Sequence, residues 1–208
     1  MIKTVFLDMG GVLIDLSVSR CKASFMALGF DNVDELIGTS QHNGFFCMLE
    51  GGEIDEPEFC RLCREHCSRE ITDDQAADAL SSLLGTVPPE KIAYLRELKD
   101  RYPLYVLSNN NPINVRRTFH IFEDCGLPFD DVFTGAFYSH ELKVQKPAPG
   151  IFRAAIEATG YDPSEILFVD DSAVNVEGAA AVGLNALHYI PGTDLRAAIE
   201  NKLAELNK

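Results

Sequence analysis

Three short stretches of the chain share one grammar: an unbroken run of aliphatic, aromatic and β-branched residues that stops abruptly at a polar side chain. Val5-Phe6-Leu7 stops at Asp8, Leu104-Tyr105-Val106-Leu107 at Ser108, and Ile166-Leu167-Phe168-Val169 at Asp170-Asp171. Continuous rather than alternating hydrophobicity predicts strands buried on both faces, as in a parallel sheet covered by helices. Ligands of such sheets bind beyond the carboxyl ends of the strands. Three polar strand ends are therefore expected along one functional edge.

Helical periodicity fills the intervals. Pro88-Pro89-Glu90 opens a segment with Ile92, Leu95 and Leu98 on one stripe. Pro147 to Gly160 carries Ile151, Phe152, Ala155 and Ile156 and ends on a glycine suited to a C-cap. Asn175 to Gly183 supplies Ala179, Ala180 and Val182 for close contact with a sheet, and Asp194 to Lys208 reads as a terminal helix. This alternation predicts a doubly wound, mostly parallel α/β core of Rossmann-like type. One interval breaks it. From Leu16 to Thr86 the pattern is helical throughout, with an amphipathic Ser17–Leu28 and a capping box, Thr72-Asp73-Asp74-Gln75, ahead of Ala77, Leu80 and Leu83. The expected organisation is a core of residues 1–15 and 87–208 with a helical cap, residues 16–86, inserted after the first strand.

Composition narrows the functional classes. At 208 residues the chain can bury one substantial core, and 46% hydrophobic with 24% charged residues is ordinary for a globular protein. A formal charge of −14 disfavours nucleic acid and anionic membrane surfaces as partners. No stretch has the length of a membrane span or the apolar core of an export signal, so a soluble, cytoplasmic protein is expected. The six cysteines then read as thiols.

The strand ends carry the candidate chemistry. Asp8 is followed by Gly10-Gly11, which let backbone turn sharply and approach a ligand; the carboxylate could attack, bind metal or merely cap a turn. Ser108-Asn109-Asn110 offers a hydroxyl, amides and N–H groups suited to phosphate oxygens. Asp170-Asp171 places two carboxylates side by side at a buried strand end, where a cation such as Mg²⁺ would neutralise them. Lys146, held ahead of Pro147, could offset this negative charge, although nearby Lys143 is not separated from it by spacing.

In chain order, Asp8-Met9-Gly10-Gly11-Val12, Ser108-Asn109, Lys146-Pro147 and Asp170-Asp171-Ser172 resemble the motifs of the haloacid dehalogenase-like (HAD) superfamily. The context Leu107-Ser108-Asn109-Asn110-Asn111, Ile151-Phe152, Asn175, Glu177-Gly178-Ala179 and Gly51-Gly52-Glu53-Ile54 is similar to the subfamily of bacterial α-D-glucose-1-phosphate phosphatases. The resemblance implies Mg²⁺-dependent hydrolysis of a small phosphomonoester, such as a sugar phosphate, through an aspartyl phosphate on Asp8. Ser108 and Lys146 would assist catalysis, with Met9, Gly10 and Asn109 lining the phosphate. Mg²⁺ would be held by Asp8, the Gly10 carbonyl and Asp171, with Asp170 and Asn175 supporting them.

One departure stands out. Most phosphatases of this superfamily have a second aspartate two residues after the nucleophile as general acid and base, whereas this chain has Gly10. Such a group contributes about 10²–10⁴ in rate; the candidate replacements are a cap residue such as His42 or His66, or water. Gly10 also admits a haloacid dehalogenase, a phosphonate hydrolase using Lys22 or a non-catalytic phosphometabolite-binding protein. Retention of Asp170-Asp171 favours the phosphatase. Cys60, Cys63, His66 and Cys67 could form a zinc site, but the i, i+3, i+7 spacing of the cysteines also describes a buried helix stripe, which is the preferred reading. His140, just ahead of Lys146, is expected to border the site, while His120 and His188 are read as structural or surface residues.

Overall fold

A computed structural model describes residues 1–30, 33 and 44–208. Five strands, β1 (Thr4–Leu7), β2 (Leu104–Ser108), β3 (Gly135–Tyr138), β4 (Ile166–Asp170) and β5 (Asn185–His188), form one sheet in the order β3-β2-β1-β4-β5. Every neighbouring pair is parallel. The three strands with continuous apolar runs are the three central ones, which explains why their sequences do not alternate. Val5, Leu7, Val106 and Val169 pack into a cluster on one face with Leu95, Leu98, Ile121, Phe122 and Ile199. Phe6, Leu107 and Phe168 face the other way, against Ile151, Phe152, Ala155 and Ala179.

Ten α-helices lie among the described residues. Six belong to the α/β core: α5 (Pro89–Lys99), α6 (Pro112–Asp124), α7 (Ser139–Leu142), α8 (Pro149–Thr159), α9 (Ala173–Ala181) and α10 (Leu195–Leu206). The other four, α1 (Val18–Ala27), α2 (Phe45–Glu50), α3 (Glu56–His66) and α4 (Asp73–Ser81), lie between β1 and α5. They enclose their own apolar cluster, including Cys21, Phe25, Leu49, Phe59, Cys60, Cys63 and Leu80, to which α6 contributes Ile113. The capping box at Thr72 forms as its sequence predicts. The chain enters and leaves this helical insert side by side: Ser17 N–H donates to the Leu83 carbonyl at 2.8 Å and Gly85 N–H to the Asp15 carbonyl at 2.7 Å.

Some expectations need correction. Pro147 does not open a helix; α8 begins at Pro149, and Pro147 follows a cis peptide bond from Lys146. The helix expected from Asn175 begins two residues earlier, at Ala173. Strands β3 and β5 carry no strong signal because they are short edge strands, only partly buried, and mix glycine, alanine and polar residues with their apolar ones. Among the described residues no helix is long and apolar enough to cross a membrane.

Candidate active site

Sheet register brings the polar strand ends together. Leu7 is aligned with Val106 on one side and Val169 on the other, so Asp8 emerges beside Asp170 and one level below Ser108. The Asp8 N–H still donates to the Val169 carbonyl at 2.9 Å, which carries the sheet pattern up to the carboxylate. Beyond it the chain folds into a tight turn, with Leu13 and Ile14 N–H donating to the Met9 carbonyl. Buried Lys91 of α5 secures that turn by donating from Nζ to the Val12 carbonyl at 2.7 Å.

Lys146 lies at the centre of the site. Its Nζ donates to Asp170 Oδ2 at 2.6 Å and to the Leu107 carbonyl at 2.9 Å, and forms an ion pair with Asp8 Oδ1 at 2.9 Å. Its backbone is held equally firmly. Asn109 accepts from Lys146 N–H at 2.7 Å and donates to its carbonyl at 3.0 Å, an amide pairing that stitches the β2 end to the Lys146 turn. Exposed Lys143 stands outside this arrangement, which separates two lysines that spacing alone does not. Burial lowers the Lys146 pKa, but Asp8 and Asp170 outweigh it and hold the ammonium above its usual range.

The carboxylates have distinct surroundings. Asp170 is fully buried and accepts from Ser172 N–H at 2.8 Å and Asn175 Nδ2 at 3.0 Å as well as from Lys146. Asp8 has spare capacity: Oδ1 forms an ion pair with Lys146 but lacks a hydrogen bond of good geometry. Burial pushes the Asp8 pKa up to about 6, the lysine pulls it down and Asp170 pushes it up. Asp171 is also raised, by burial first and then by Asp170. Oxygens of Asp8, Asp170 and Asp171 lie within 4.8 Å of one another.

Gly11 makes this closeness possible. Its φ of +77° is the left-handed region, and a Cβ there would lie 2.2 Å from Asp171 Oδ2. Gly11→Ala is therefore expected to displace Asp171 and weaken divalent-cation binding by at least about tenfold, the lower end of what loss of a ligand's support typically costs. Calorimetric titration with Mg²⁺ checks this; unchanged affinity would show that Asp171 does not bind the ion.

The other predicted residues divide between the site and the core. Ser108 is buried at its strand end, with only a long 3.4 Å contact from its hydroxyl to the Asn109 carbonyl. Met9 turns its side chain into the apolar core, so only its backbone can face a ligand. Gly10 has Leu16 beside it; a Cβ would sit 3.0 Å from Leu16 Cδ1. His140 borders the site, with its Nδ1 2.8 Å from the Asn110 carbonyl. His66 is exposed on α3 and rests against Phe45, whereas His42 lies outside the described residues. Cys60 and Cys63 face the insert's apolar cluster, where burial raises their pKa values. The Asp8–Asp170–Asp171 group has no counterpart among the described cysteines and His66.

Glu50 was missed. It is the last residue of α2 and half-buried at the junction of insert and core. Burial pushes its pKa up to about 8, Asp8 adds to the rise and Lys146 opposes it. Its sequence signal is a lone carboxylate closing the apolar run Phe45-Phe46-Cys47-Met48-Leu49 immediately before Gly51-Gly52.

Comparison with known proteins agrees with this geometry. Residues 2–183 match the haloacid dehalogenase-like hydrolase family. The chain is 31% identical over 197 residues to a D-ribitol-5-phosphate phosphatase from Bacteroides thetaiotaomicron, covering 94% of this chain and 96% of the relative. It is also similar to the HAD family enzyme BT-2542 of the same organism, whose wild-type crystal structure is a complex with magnesium and inorganic phosphate. That similarity has a TM-score of 0.87 at 35% identity and covers 93% of this chain and 97% of the other. A predicted HAD-like family hydrolase from Porphyromonas gingivalis matches with a TM-score of 0.89 at 31% identity, covering 98% of both chains. The protein described here belongs to the haloacid dehalogenase-like hydrolase family.

Proposed function

We propose that this chain hydrolyses a small phosphomonoester, a phosphorylated sugar or polyol, using Mg²⁺ and an aspartyl phosphate on Asp8. The observation that carries this reading is the placement of Lys146 between Asp8 and Asp170 with Asp171 alongside. Ammonium and carboxylates so arranged can hold a phosphoryl group against a carboxylate nucleophile. The magnesium and phosphate bound by the similar enzyme support it, as does the polyol phosphate acted on by the similar phosphatase.

The donor set fits Mg²⁺. All its side-chain donors are carboxylate oxygens, and one Asp8 oxygen lacks a hydrogen bond of good geometry. Asp8 and Asp171 would hold the ion with the Gly10 carbonyl, while Asp170 is already committed to Lys146, Ser172 and Asn175. Bound there, the cation would polarise the phosphoryl oxygens and offset the charge of substrate and carboxylates. A second consequence concerns stability. Asp8 in the metal-free fold titrates near 6, above its ordinary value of 3.8. The folded state thus binds more protons than the unfolded one, and this contribution to stability falls as pH rises from about 4 through 6. Mg²⁺ should consequently raise Tm more at about pH 8 than at about pH 5, as thermal unfolding at both values would test; an equal or opposite effect would count against binding at Asp8.

Asp8 attacks phosphorus in line with the ester oxygen while Lys146 steadies the phosphoryl oxygens. Ser108 and the Asn109 backbone hold a phosphoryl oxygen. Water then attacks the same phosphorus, releasing phosphate and restoring Asp8. The insert acts as a cap over this edge, excluding bulk water and contacting the alcohol part of the ester. A metal-controlled screen of phosphorylated sugars and polyols, with haloacids assayed beside them, tests the proposal. Mg²⁺-dependent phosphate release with no halide release is expected; halide release without phosphate release would overturn it.

A further inference from the structure

We infer that Glu50 supplies the carboxyl group that Gly10 does not, acting as general acid for the leaving alcohol and general base for the attacking water. The inference rests on the phosphatase reading above. It begins with the vacancy in the sequence pattern: the residue two beyond Asp8 has no side chain, and its neighbourhood is occupied by apolar Leu16. A side-chain proton donor would therefore have to come from another element.

Helix α2 is pinned to the core so that its carboxyl end meets this edge. Ser139 Oγ donates to the Glu50 carbonyl at 2.6 Å and accepts from Asn110 N–H at 2.9 Å, linking the insert to the segment after Ser108 and Asn109. Gln145, adjacent to Lys146, donates from Nε2 to the Cys47 carbonyl at 3.3 Å. Gly52 completes the closure. Its φ is +68°, and a Cβ there would lie 2.2 Å from the His140 carbonyl, so the chain can pass this closely only with glycine. Three contacts thus fix the backbone around Glu50 relative to the Lys146 turn.

The side chain is chemically uncommitted. Its carboxyl has no hydrogen bond or ion pair with any described residue, yet lies within electrostatic range of both Asp8 and Lys146. Burial of the carboxyl favours the protonated form, which an acid for an alkoxide leaving group requires. In the first step Asp8 forms the P–O bond, the phosphorus–ester oxygen bond breaks, and the Glu50 proton passes to that oxygen to release an alcohol. Glu50, now a carboxylate, accepts a proton from the water that attacks phosphorus. The Asp8–phosphorus bond breaks, inorganic phosphate leaves, and Glu50 is protonated again.

The experiment compares full-length wild type with Glu50→Gln on a polyol phosphate, whose alcohol must be protonated as it leaves, and on p-nitrophenyl phosphate, whose phenolate need not be. The variant should lose about 10²–10⁴ in kcat/KM for the polyol ester. With p-nitrophenyl phosphate it should keep the first-turnover burst within a few-fold, followed by slower steady release because the attacking water lacks its base. Unchanged Mg²⁺ affinity and thermal unfolding would exclude a folding defect; if either moves, Glu50→Ala with added formate should restore turnover. Equal loss in the first turnover with both esters, or a raised KM with kcat intact, overturns the role of Glu50 and leaves the phosphatase assignment standing. A wild type inert toward every phosphate ester overturns both.

Discussion

Asp8→Asn is expected to lower kcat by about 10⁴- to 10⁶-fold, the scale seen when a covalent nucleophile is removed, while leaving the fold intact. The substitution is nearly isosteric but replaces an attacking carboxylate with a poorly nucleophilic amide. Its effect on stability should have the opposite sign. Asp8 is buried and its pKa is raised to about 6, so its charge is a burden on the metal-free fold once pH exceeds that value. Asn removes the burden, and Lys146 keeps Asp170 and the Leu107 carbonyl as partners. The metal-free variant should therefore melt no lower than the metal-free wild type at about pH 8. Phosphate release and thermal unfolding test the two halves separately; retained turnover would dismiss Asp8 as nucleophile.

Lys146→Met should damage both properties. The ammonium is virtually inaccessible, with Asp170 wholly buried on one side and Asp8 largely buried on the other. Removing one partner of a buried ion pair typically costs about 3–5 kcal/mol because charge is left uncompensated. For a domain of this size that corresponds to roughly 6–20 °C in Tm. Catalysis should fall by at least about 10²-fold from the loss of electrostatic stabilisation at the phosphoryl group. The two losses can be separated. Adding Asp170→Asn to Lys146→Met removes one stranded carboxylate and should recover part of Tm, while activity stays low. Recovery of both, or an unaltered Tm in the single variant, would contradict the placement of Lys146 between the carboxylates.

The central strands and their polar ends were legible because burial on both faces leaves continuous apolar runs that stop where the site begins. Parallel register then does what sequence separation conceals: Asp8, Ser108 and Asp170 arrive at adjacent positions although more than 60 residues separate each from the next. Edge strands β3 and β5 were less visible because their half-exposed sides relax the hydrophobic pattern. Lys146 was legible as a residue type near a turn, but its preference over Lys143 depends on the Asn109 pairing, a contact between distant loops. Glu50 was hidden for a similar reason. An acid at the end of an apolar helix looks like a helix boundary until Ser139 and Gly52 bring that end against the core.

The most direct measurement is the mass of the peptide containing Asp8 after wild-type protein, Mg²⁺ and a phosphate ester it hydrolyses are mixed and quenched in acid during turnover. A fraction of that peptide should carry one added phosphoryl group, sensitive to hydroxylamine and absent from Asp8→Asn. Sustained phosphate release with no phosphorylated Asp8 peptide, under quench conditions that preserve an acyl phosphate, would mean that water attacks the ester directly.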